Sequence, residues 1–157
     1  MSGSDTLIAL ANRMTTVATE GNLPAMQTID KLAWLCVQDH RLLCARSRGK
    51  ETFYIPGGKR EAGETDHAAL QREIREELSV DLVPNSLSLA GVFEAQAHGR
   101  PAGTTVRMTC YYGDYAGTLK AASEIEELAW LSHADWAKTS EVDHLIFNWL
   151  QARGELR

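Results

Sequence analysis

Residues 65–79 constrain the fold of this chain most strongly, because Leu70, Ile74 and Leu78 recur every fourth residue there while short strand-like runs lie on both sides. A strand cannot satisfy that period, so the spacing predicts an amphipathic helix whose apolar stripe is covered by a sheet. Thr65 is placed to cap the helix and Asp66 to complement the positive end of its dipole. The flanking runs read as strands. Residues 29–37 (IDKLAWLCV) predict one that turns at Asp39-His40 into 42–46 as a hairpin. The run TFYI stops at Pro56-Gly57-Gly58, which predicts a loop rather than continued pairing. Residues 86–97 and 104–115 flank the turn-rich HGRPAG, and Leu128–Leu131 adds a further strand to complete a mixed sheet. Val142, Leu145, Ile146, Trp149 and Leu150 predict a C-terminal helix from about Glu141 to Ala152.

With 157 residues and 44% hydrophobic content, one compact domain with its own core is expected. Ser4 and Asp5 before Leu7, Ile8, Leu10, Ala11 and Met14 predict a short helical extension over 1–26, separated from the domain at 27–157 by Gly21, Asn22 and Pro24. The 16 Lys+Arg against 21 Asp+Glu give a net charge of −5, which disfavours nonspecific nucleic-acid binding. No run approaches 18 apolar residues and the start lacks the order of an export signal, so a soluble cytoplasmic protein is expected, with no membrane partner. Cys36, Cys44 and Cys110 have no C-x-x-C spacing and read as reduced structural thiols. His40, His67, His98, His133 and His144 show no metal-binding spacing and read as surface or structural.

The helix also carries chemistry. Glu73, Glu76 and Glu77 fall within an arc of roughly 100° beside the apolar stripe. Three like charges so close repel unless a cation sits among them, and Mg²⁺ is usually held by a few carboxylates together with phosphates and water. Metal-assisted phosphoryl chemistry is the natural reading.

The segment from Gly58 to Val80 resembles the Nudix box, G-x5-E-x7-R-E-U-x-E-E-x-G-U with U apolar, departing from it only at Ser79, where the late glycine is usual. The resemblance implies an α/β (α+β) fold, a mixed sheet sandwiched between helices, and Mg²⁺- or Mn²⁺-dependent attack of water on a diphosphate linkage. It makes Glu73, Glu76 and Glu77 the metal-binding and water-activating carboxylates, with Glu73 the leading base and the Gly57 carbonyl a further ligand. Arg72 and Glu64 become a supporting ion pair. A carboxylate from the loop before the Trp130 strand commonly joins such a cluster; Glu124 is the first choice, with Glu126 or Glu127 behind it.

Substrate contacts are expected from Arg46 and Lys59, with Arg48 and Lys50 nearby, and from Trp34 or Tyr111 if either stacks on a base. Phe53 and Tyr54 point to opposite sides, so one should face a pocket or solvent. The implied substrate is a small nucleoside di- or triphosphate, or a nucleoside diphosphate linked to another group, handled by a monomer or homodimer. Residues 95–97 are Ala-Gln-Ala, without the proline or tyrosine of the ADP-ribose and dinucleoside-polyphosphate subgroups, which favours a MutT-like branch acting on nucleoside triphosphates such as 8-oxo-dGTP. The rival readings are a non-catalytic nucleotide- or sugar-nucleotide-binding sensor and a plain interaction module.

Overall fold

The computed structural model describes residues 27–157. The helix expected within 1–26 lies outside the described residues. Strand β1 (Gln27–Leu35) is central: it pairs in parallel with β7 (Thr104–Tyr112) on one side and antiparallel with the two-residue β4 (Gly57–Gly58) on the other. Strand β6 (Ser88–Gln96) completes a mixed sheet of order β4-β1-β7-β6 through an antiparallel hairpin with β7. A second, antiparallel sheet holds β2 (Val37–Gln38), β3 (Arg41–Ser47) and β9 (Ile125–Leu131), and β5 (Asp81–Leu82) pairs with β8 (Tyr115–Ala116).

Alternation along β1 sorts the core. Leu32 and Trp34 turn toward α1 (Asp66–Leu78), where Ala69, Leu70, Ile74 and Leu78 are fully buried. Ala33 and Leu35 turn the other way, toward α2 (Glu141–Ala152) with Ile146, Phe147 and Leu150. Successive strand residues face opposite sides, so one strand serves two cores and the helices end on opposite faces of the sheet. Each buried leucine removed from water stabilises by about 2 kcal/mol.

Both helices begin and end close to expectation. The Thr65 hydroxyl accepts the Ala68 N–H at 3.2 Å, a cap whose loss costs about 1 kcal/mol.

Three sequence expectations are corrected. The strand read over 29–37 is two elements: the chain leaves the mixed sheet at Cys36, whose carbonyl accepts the Leu43 N–H at 2.9 Å, and only Val37–Gln38 form the hairpin with β3. The turn itself is as expected, with Asp39 and His40 at φ of 52° and 61°, as a two-residue hairpin twisted like its strands requires. Gly57-Gly58 is not merely a loop; it pairs with Ala33 and Leu32. Glycine permits this because a Cβ on Gly57 would run into the Leu32 carbonyl. Finally, the strand at 128–131 starts earlier and joins β3 rather than the mixed sheet.

Candidate active site

The loop before α1 is fastened by one arginine. Arg72 donates to both carboxylate oxygens of Glu64, from Nε at 2.7 Å and Nη2 at 2.8 Å, and to the Lys59 carbonyl at 3.1 Å. Its Nη1 donates to Glu73 Oε1 at 3.0 Å and lies 3.5 Å from Glu76 Oε2. Glu64 also accepts the Glu61 N–H at 2.7 Å. The guanidinium holds the Glu64 carboxyl down at about 2, and Arg72 itself is pushed firmly toward its charged form. A bidentate fork of this kind fixes direction as well as charge.

One turn further along, Glu77 has no such partner among the described residues. Burial first, then a hydrogen bond shared with Glu124 and the charge of Glu73, push its carboxyl up to about 8. The Gly57 N–H donates to it, 3.3 Å from Oε1. Glu124 sits on the loop before β9, where the Ser123 hydroxyl donates to its Oε2 at 2.7 Å and holds its carboxyl below the ordinary value. Burial thus favours the neutral form at Glu77, beside a carboxyl at Glu124 that is favoured in its charged form. Glu73 is shifted up by burial against the pull of Arg72, and its carboxylate fills the space that a Cβ on Gly58 would take. Glu76 is half exposed on the outer edge of the group.

These oxygens suit a hard divalent cation. Burial favours a neutral Glu77 carboxyl that a cation could return to its charged form, and among the described residues neither Glu77 nor Glu124 forms an ion pair with Lys, Arg or His. The group is not a preassembled cage, since no three potential ligands among the described residues converge on one point. Arg72 holds Glu73 and Glu76 to one side.

Glu77 opens onto a cleft of about 320 Å³ between the sheets. Gly57, Gly58 and Lys59 form its rim beside Glu77, while Lys31, His98 and Arg100 add positive or titratable groups along the wall. Tyr54 lines the cleft and meets the His98 ring edge to face at 6.1 Å. Phe53, its opposite-facing neighbour, packs on the α2 core. Under Ser140 and Val142 at the floor lies Asp143, fully buried, its carboxyl pushed up to about 7 by that burial. Among the described residues neither Asp143 oxygen, nor the Ser140 hydroxyl, has a hydrogen-bond partner of good geometry, although Ser140 and the Ile55 backbone lie close enough to Asp143 to oppose part of the burial shift. Burial, and next the charge of Lys59, lower the Lys31 ammonium from its ordinary value.

Several expected substrate contacts lie elsewhere. Trp34 is fully buried against α1, donates Nε1–H to the Gly113 carbonyl at 3.0 Å and meets Tyr115 edge to face, so no ring face is free for a base. Tyr111 is buried in the same cluster and its hydroxyl donates to Asp66 at 2.8 Å, bracing the start of α1. Both corrections have one cause: these residues lie on the α1 side of their strands, opposite the cleft. Arg46 spans to Glu127 at 3.1 Å and to the Lys50 carbonyl at 2.9 Å, away from the cleft lining. That pairing occupies Glu127, Glu126 is exposed on β9, and Arg48 fixes the Glu124 backbone through its N–H at 2.9 Å. Of the expected basic contacts, Lys59 reaches the cleft.

The sequence does not single out Lys31, Arg100 or Asp143, and it reads His98 only as a surface or structural residue, whereas His98 lines the cleft. The available signals were a lysine alternating with Ile29 and Ala33 in an apolar strand, and an aspartate in the apolar stripe of α2. All three cysteines are free and buried, and burial raises each thiol, as structural thiols require.

In comparisons with known proteins, an ADP-ribose pyrophosphatase of Methanocaldococcus jannaschii is 32% identical over 93 residues, covering 57% of this chain but only 53% of that relative. The solution structure of the E. coli ORF135 protein aligns with a TM-score of 0.64 at 24% identity, covering 81% of this chain and 91% of the other. A MutT NUDIX hydrolase from Burkholderia pseudomallei aligns with a TM-score of 0.65 at 22% identity, covering 78% and 97%. At these identities the structural likeness speaks to the fold. The NUDIX domain model matches residues 28–150, nearly the whole described region, so the chain belongs to the NUDIX family.

Proposed function

We propose that this chain is a Mg²⁺- or Mn²⁺-dependent pyrophosphohydrolase acting on a nucleoside di- or triphosphate or on a nucleoside diphosphate joined to another group. The observation that carries this reading is Glu77, paired with Glu124 and without an ion-pair partner among the described residues, opening onto a cleft whose walls bear Lys31, Lys59 and Arg100. Glu73, Glu76, Glu77 and Glu124, with the Gly57 carbonyl, are the residues that would hold the cation. When bound, it would neutralise phosphate oxygens and make water more acidic.

The remaining work falls to the chain itself. Lys59, Lys31 and Arg100 attract and orient the phosphates. Glu73, held by Arg72 and already shifted upward, is the candidate to take a proton from the attacking water. Arg72 and Glu64 keep the rim loop and the helix in one register. Tyr54 and His98 offer ring surface to a flat group, and the Ser140 hydroxyl lies on the cleft lining within reach of its polar edge.

The Methanocaldococcus relative's name keeps ADP-ribose among the substrates to test, while Ala95-Gln96-Ala97 favours nucleoside triphosphates. Among the described residues no helix is long and apolar enough to cross a membrane. The reading includes action in the cytoplasm as a monomer or homodimer, with 1–26 as an appendage to the hydrolase domain. The decisive experiment screens nucleoside triphosphates, 8-oxo-dGTP and ADP-ribose with and without Mg²⁺, scoring phosphate, pyrophosphate and nucleoside monophosphate separately. Metal-dependent release from at least one is expected; saturable binding without turnover across the panel would instead make the chain a sensor.

A further inference from the structure

Ser79 follows the last turn of α1 with φ of 65° and ψ of 19°, the left-handed region that glycine enters without cost and serine does not. The conformation is needed to end the helix, since it brings the Ser79 N–H to the Arg75 carbonyl at 3.1 Å. Glycine would do that at least as well. What glycine would not supply is the hydroxyl, which donates to the Lys120 carbonyl at 3.0 Å.

That bond is one of three between the end of α1 and the loop that precedes β9. The Lys120 N–H donates to the Leu78 carbonyl at 3.0 Å and the Ala122 N–H to the Glu77 carbonyl at 2.9 Å. The loop then turns through Ser123, at a left-handed φ of 56°, and presents Glu124. The segment that carries one member of the acid pair is thus fastened to the helix that carries the other, and Ser79 is the side chain in the fastening.

We propose that Ser79 is a positioning residue for the Glu77–Glu124 pair, its hydroxyl fixing the Lys120–Glu124 loop so that the two carboxylates meet a divalent cation together. The inference rests on the metal reading above and adds to it a residue outside the carboxylate set. A loosened loop leaves Glu77 in place but lets Glu124 wander, so cation affinity falls while the fold does not.

The test is a thermal melt of the full chain titrated with Mg²⁺ alone, and separately with Mn²⁺. In Ser79→Gly the metal-free melting temperature is expected to stay level or rise by about 1–3 °C, because glycine relieves the backbone. The cation concentration giving half of the stabilisation should rise roughly tenfold, as for loss of a group that orients a metal ligand. Generally poorer packing would instead lower the metal-free melting temperature while the midpoint rises, and that pattern would overturn the positioning role. Ser79→Asn, which tolerates the left-handed region and keeps a donor, should return the midpoint to within about twofold of wild type. In a Glu124→Gln background, Ser79→Gly should change the midpoint no further. An unchanged midpoint in Ser79→Gly, or the same weakening with and without Glu124, overturns the coupling. Absence of any cation-dependent shift in the wild type would overturn the metal reading and the coupling with it.

Discussion

The two ends of the carboxylate group differ in what balances them. Glu64, Glu73 and Glu76 surround Arg72, which sits within 3.5 Å of all three. Glu77 and Glu124 face each other, with burial favouring the neutral form at Glu77. Arg72 already balances the carboxylates around it, so Glu64 serves the loop while Glu73 and Glu76 keep oxygens that a divalent cation could share; Glu77 and Glu124 depend on that cation for their balance. Charge balance, rather than residue type or helical arc, sets how strongly each carboxylate calls for a cation.

The largest effect should come from the uncompensated end. Glu77→Gln keeps the shape and removes the charge, so turnover should fall at least about 10²-fold while the fold survives. Near-normal turnover at saturating Mg²⁺ would remove the metal-site reading. Glu73→Gln should be comparably damaging in kcat if Glu73 takes the proton; a mild effect would pass that role to another carboxylate.

At the compensated end, Arg72→Lys keeps the charge but not the fork. It should lower the midpoint of denaturant unfolding, through the hydrogen bonds to Glu64 and the Lys59 carbonyl. Freed from the guanidinium, Glu73 should also lose its fixed direction, lowering kcat more than it raises KM. Stability unchanged within error would mean that the bidentate contact contributes nothing to the loop.

The pH dependence of stability sharpens the contrast. Glu77 at about 8 and Asp143 at about 7 both lie above their ordinary values of 4.5 and 3.8. Between those limits the folded chain binds more protons than the unfolded one, so metal-free stability should fall as pH rises from about 4 and level off above about 8. Melts across that range should show the decline, shallower in Glu77→Gln and in Asp143→Asn. Added Mg²⁺ should stabilise more at pH 8 than at pH 6, because protons compete for the same oxygens. Equal stabilisation at both pH values would place the cation elsewhere.

The smallest effects should separate the two faces of the sheet. His98→Ala, on the cleft wall, should raise KM by roughly threefold to tenfold with little change in melting temperature. Trp34→Phe, beneath α1, should do the reverse, losing the Gly113 hydrogen bond and some packing while leaving KM alone. A KM effect from Trp34 equal to that of His98 would contradict the assignment of the cleft to the α2 side.

What the sequence determined by itself is local. The period of Leu70, Ile74 and Leu78, the Thr65 cap and the arc of Glu73, Glu76 and Glu77 are set by residues within one or two turns of each other, and the helix reproduces them. The hairpin turn at Asp39-His40 is equally local. The tertiary structure decided which face of each strand became cleft and which became core. Alternation says that Trp34 and Lys31 differ in side, but nothing in the strand says which side a helix will cover. For the same reason Trp34 and Tyr111 looked available and are not, whereas Lys31, His98 and Asp143 come from separate elements and converge only when β1, the β6–β7 turn and α2 are packed. Glu124 is intermediate: the family resemblance nominates it through its place before the Trp130 strand, but its pairing with Glu77 depends on backbone bonds across more than forty residues, which only the folded chain makes.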